Sequence, residues 1–151
     1  MHRGGVALAI ALVAVALSAQ EASEAPQRAY TQGESPYMVE TAWNLREPVE
    51  VFVEIGGLRV DTVRIDPQGA VDEGTSVRCL VSATGSHQGG SRPTVTIAML
   101  LEDQDGKGLE RLKMEKFKPA RGRPFEEVQR LQLSGSALLA ARKIFVMIEV
   151  E

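Results

Sequence analysis

Along most of this chain apolar and polar residues alternate one by one, the period of a β-strand with a single buried face. The clearest run is Thr94 to Phe117. Val95, Ile97, Met99 and Leu101 share one parity and Thr94, Thr96 and Ala98 the other; further on, Leu112 and Met114 alternate with Arg111, Lys113 and Glu115. The pattern predicts two strands joined by a tight turn at Asp105-Gly106, a pair that tolerates the left-handed backbone of two-residue hairpins, with Gly108 leaving room for a bulge or a longer loop. A lone hairpin is marginal in water, so other strands must cover its apolar side.

Upstream, Val49, Val51, Val53 and Ile55 alternate with Glu50, Phe52 and Glu54, and Gly56-Gly57 permits a hairpin turn. Leu58 and Val60 then lie on one parity but Val63 and Ile65 on the other, a phase change that predicts a β-bulge or a strand changing sheets. Asp66-Pro67-Gln68-Gly69 and Asp72-Glu73-Gly74 carry turn chemistry. Val77, Cys79, Val81 and Ala83 form the next strand, closed by a polar loop from Gly85 to Pro93. Downstream of the hairpin, Lys118 to Pro124 is a basic loop, Phe125 to Leu133 a strand with Val128 out of phase, and Leu138 to Arg142 one helical turn after Ser134-Gly135-Ser136. Ile144, Val146, Ile148 and Val150 alternate with Phe145, Met147 and Glu149, so the last strand is apolar on both faces and belongs in the middle of its sheet. Six or seven short strands separated by turns predict an all-β fold, a sandwich or barrel of about 100 residues. Burial of its Val, Ile, Leu and Met, at about 1.5–3 kcal/mol for each large side chain, suffices for a core without disulfides.

The N-terminus breaks the alternation. His2 and Arg3 precede an apolar run from Val6 to Leu17, followed by Ser18 and Ala19, the layout of a secretory signal peptide over residues 1–18. The run falls short of the roughly 20 residues that span a bilayer; the alternative is an uncleaved anchor. The expectation is an exported protein, periplasmic or secreted, with no stable membrane span after cleavage. Residues 19–45 follow as a polar, flexible tether and a short pre-domain segment, in which residues 35–45 form either a helix begun by Ser35-Pro36 or a loop laying Trp43 over the core.

The strand from Met99 to Asp103, followed by Asp105-Gly106-Lys107, resembles the Phe-x-Leu-Tyr-Asp strand and Asp-Gly-Lys turn of bacterial FxLYD-type immunoglobulin-like domains, with Met in place of Phe and Glu in place of Tyr. The resemblance covers about residues 56–151 and implies that the all-β domain, residues 46–151, is a single immunoglobulin-like antiparallel β-sandwich, exported and non-catalytic, with no catalytic residues to carry over.

Candidate chemistry is sparse. Cys79 is the sole cysteine, which excludes an intramolecular disulfide, and its place among strand valines predicts a buried thiol. His87 is the one histidine beyond the leader, expected as a solvated turn residue, and neither a nucleophile elbow nor a phosphate loop accompanies it. No cofactor motif is present and the chain is not expected to be an enzyme. Glu102, Asp103 and Asp105 concentrate carboxylates before Gly106, the alternative reading being a calcium-type site or the metal site of a hydrolase, although EF-hand spacing is not met. Charge is more distinctive. Residues 107–123 hold seven basic and two acidic side chains, whereas residues 20–75 hold eleven acids and four bases. Arg111, Lys113, Lys116, Lys118, Arg121 and Arg123 are therefore the expected contact residues for a protein or an anionic envelope polymer, or else a guard on an edge strand. Nucleic acid is not expected, because aromatic residues do not interleave with the bases. The functional expectation is an exported binding or scaffold module, with a subunit that completes its sheet on a partner strand as the alternative.

Overall fold

The computed structural model describes residues 28–151. Two sheets pack against each other as a β-sandwich. Its strands are β1 (Thr31–Gln32), β2 (Tyr37–Ala42), β3 (Val49–Ile55), β4 (Leu58–Pro67), β5 (Ser76–His87), β6 (Val95–Glu102), β7 (Gly108–Lys113), β8 (Pro124–Ser134) and β9 (Lys143–Val150), with one short helix, α1 (Gly135–Ala140). One sheet has the order β1-β3-β4-β5-β8 and the other β2-β9-β6-β7. Seven of these strands lie beyond residue 46, as the alternation predicts, and two precede it.

The inward parities are the expected ones. Val49, Val51, Val53 and Ile55 from β3 meet Val95, Ile97, Met99 and Leu101 from β6 and Ile144, Val146 and Ile148 from β9 in one buried core. The phase change in β4 is a bulge rather than a change of sheet: Val60 pairs with Gly85 and Thr62 with Thr84, which leaves Asp61 as the extra residue. Gly85 is what lets the bulge close, since a Cβ there would stand 1.9 Å from the Arg59 carbonyl oxygen. Gly56 and Gly57, with φ of 56° and 85°, make the two-residue turn between Ile55 and Leu58. β9 is indeed central, between β2 and β6.

Four expectations are corrected. Residues 37–42 form neither helix nor loop but the edge strand β2 on β9, and Trp43 just beyond it is buried in the core at 2% exposure. Every other residue of β2 is partly buried, so half of its apolar period was masked by Thr41 and Tyr37. The end of the expected tether is tied down: Tyr30 donates to Asp61 at 2.6 Å and packs at a tilt against Phe52, and the Arg28 guanidinium lies over the Phe52 ring. Residues 1–27, with the signal peptide and the rest of the tether, lie outside the described residues. β5 runs on through Gly85 and Ser86 to His87, where a loop is expected. The helix begins earlier than expected because Ser134 caps it, its side chain accepting from the Ala137 amide.

Candidate functional site

β6 and β7 place the charged residues. Their turn is longer than two residues: Asp103 Oδ1 accepts from the amides of Asp105 and Lys107, and the Gly106 amide donates to the Asp103 carbonyl. The carboxylate of Asp103 thus organises the loop. Glu102 lies at the end of β6 and Asp105 is exposed at the loop tip. Among the described residues, no group of three or more His, Cys, Asp or Glu side chains is placed to hold a metal ion. The Glu102 carboxyl is raised above the usual carboxylate range, by burial first and then by Glu40, whose own carboxylate pairs with Lys143 Nζ at 3.8 Å.

The six predicted contact residues divide into three groups. Arg111 and Lys113 project from the outer face of β7, opposite in parity to the buried Leu112. Lys116 pairs with Glu151 at 3.2 Å. Lys118, Arg121 and Arg123 are exposed on the loop before β8. That loop is anchored, with Phe117 bridged to Val95 and the Gly122 amide donating to the His87 carbonyl. Among the described residues, Arg111, Lys113, Lys118, Arg121 and Arg123 make no ion pair.

Arg111 and Lys113 stand beside something the charge pattern alone does not reveal. On the outer face of the four-stranded sheet, Ala98 and Leu100 of β6 and Phe145 and Met147 of β9 form the apolar floor of an open groove of about 290 Å³, with Arg111 and Lys113 as its wall. Met38 on the neighbouring β2 is 57% exposed. The signal was present in β9, whose apolar residues on both parities are explained by a central position; among the described residues, the outer parity meets no second layer.

The remaining candidates are structural. Cys79 is fully buried, and burial pushes its thiol up to about 11. His87 is not a solvated turn residue but is buried, its Nε2–H donating to the Ser91 carbonyl while Nδ1 has no partner. A ring held in that way has no solvent-facing nitrogen with which to act as a base. Ser134 serves as a helix cap.

No protein-family model matches this chain, and no curated protein matches it either.

Proposed function

We propose that the chain is an exported, non-catalytic docking module whose contact surface is the outer face of the sheet β2-β9-β6-β7. The observation that supports this reading is the juxtaposition of an uncovered apolar floor with two cations that make no ion pair among the described residues. Such a surface favours ligands that are both apolar and anionic: the floor removes apolar area from water, and the cations orient the bound group. Export rests on the leader pattern of residues 1–18. No described helix is long and apolar enough to cross a membrane. An FxLYD-type relationship fits the same reading through the Met99 to Lys107 segment.

The dye 1-anilinonaphthalene-8-sulfonate, an apolar anion, tests the reading at dilute protein. Saturable binding is expected, weakened about tenfold, or about 1.4 kcal/mol, by Arg111→Glu with Lys113→Glu. A folded protein that does not bind the dye, or a folded double variant that binds it unchanged, would contradict the proposal.

A further inference from the structure

The pairing register fixes which side chains lie in rows across the outer face of the four-stranded sheet. One row runs Met38, Met147, Ala98, Lys113, the next Glu40, Phe145, Leu100, Arg111, and the third Ala42, Lys143, Glu102, Gly108. The two inner strands carry the apolar floor. The cations stand on the β7 border, and Glu40 stands on the β2 border, with Glu102 beside it on β6. Lys143 pairs with Glu40, and among the described residues no cation pairs with Glu102.

We propose that this face takes a second copy of the same chain, packed face to face about a two-fold axis that runs roughly along the strands between β9 and β6. The proposal rests on the reading of the face as a docking surface and names its occupant. The axis exchanges β9 with β6 and β2 with β7. Phe145 of each copy then lies on Leu100 of the other, and Met147 on Ala98. The same operation sets Glu40 opposite Arg111 and Met38 opposite Lys113, so that the apolar floors meet and one pair of opposite charges forms at each border. An axis across the strands would instead stack β7 on β7 and bring Arg111 and Lys113 against the same cations of the second copy. Charge therefore selects the first arrangement.

Area sets the strength. Four strands about 4.8 Å apart and some seven residues long present roughly 450 Å² in projection per copy. With side-chain relief added, the pair falls near the lower end of specific interfaces, and its dissociation constant in the micromolar range.

Sedimentation equilibrium of the purified protein from about 1 to 500 μM tests this, with Glu40→Arg and Arg111→Glu as separate variants. The average mass is expected to rise from one chain to two in the wild type, and each variant to dimerise at least about tenfold more weakly. An equimolar mixture of the two variants should recover the wild-type behaviour, because both cross-contacts of the mixed pair then carry opposite charges. Circular dichroism checks that each variant is folded. A wild type that stays monomeric throughout overturns the proposal, as does a dimer indifferent to both variants or a mixture that does not recover. If the monomeric protein still binds the anionic dye through Arg111 and Lys113, self-association alone has failed; if dye binding is absent too, the docking reading fails with it.

Discussion

Cys79 and Glu102 carry two of the shifted groups whose titration bears on stability. The Cys79 thiol is raised from 9.0 to about 11 by burial, with its Sγ 3.7 Å from the Val77 carbonyl oxygen. A raised folded-state value means that the stabilising contribution is complete below the unfolded value and is lost as pH rises through the folded one. The native protein is therefore expected to lose up to about 2 kcal/mol relative to Cys79→Val between pH 9 and 11. At neutral pH a thiol reagent should label Cys79 only after denaturation; rapid native labelling would contradict its burial. Glu102 follows the same sign as a carboxylate. Its charged form is disfavoured in the fold, so the protonated form's contribution is present below the unfolded value of 4.5 and lost as pH rises through the folded one. Glu102→Gln should raise the melting temperature at pH 7, and the gap should close below pH 4.5, as melting curves at the two pH values would record.

At the scale of elements, alternation was a sufficient guide wherever one face of a strand is buried and the other wet. It located β3 to β9 and the Gly56-Gly57 turn, and it marked the phase change in β4, which the pairing resolves as a bulge rather than a change of sheet. It did not find β2, an edge strand in which Tyr37, Val39 and Thr41 are only partly buried and the period is therefore shallow. Nor did it place His87, because glycines and serines in a strand look like a loop; Gly85 is there for a packing reason that no local pattern carries. Gly85→Ala would set its methyl against the Arg59 carbonyl and the Phe125 ring. It should destabilise the protein by about 1–3 kcal/mol, as chemical denaturation followed by the fluorescence of Trp43 would measure. At the β7–β8 border the side chain of Gln129 accepts from the Glu115 amide and donates to the Glu115 carbonyl at 2.9 Å, joining the two sheets where no strand pairing does. Gln129→Ala should cost about 1–2 kcal/mol in the same measurement.

For the whole molecule, the basic half of the candidate site was legible and the apolar half was not. Charge is visible residue by residue, whereas a floor built from Ala98, Leu100, Phe145 and Met147 exists only once β6 and β9 are neighbours. The loop cations Lys118, Arg121 and Arg123 lie apart from that floor on another element, so their contribution is separable. Lys118→Glu with Arg121→Glu should leave melting within about 1 kcal/mol of wild type, since exposed charges contribute little to stability. It should weaken binding of polyglutamate at low salt, and the loss should shrink as salt screens the field over roughly 8–10 Å.

The methionines offer the most direct test of the docking face. Met38 and Met147 lie on the outer face of the four-stranded sheet, whereas Met99 and Met114 are each 1% exposed in the core. With methyl-labelled methionine, titration with the anionic dye followed by nuclear magnetic resonance should move the Met38 and Met147 signals and leave those of Met99 and Met114 in place. Outer signals that stay fixed while the dye binds elsewhere, or core signals that move as much as the outer ones, would contradict the assignment of this face.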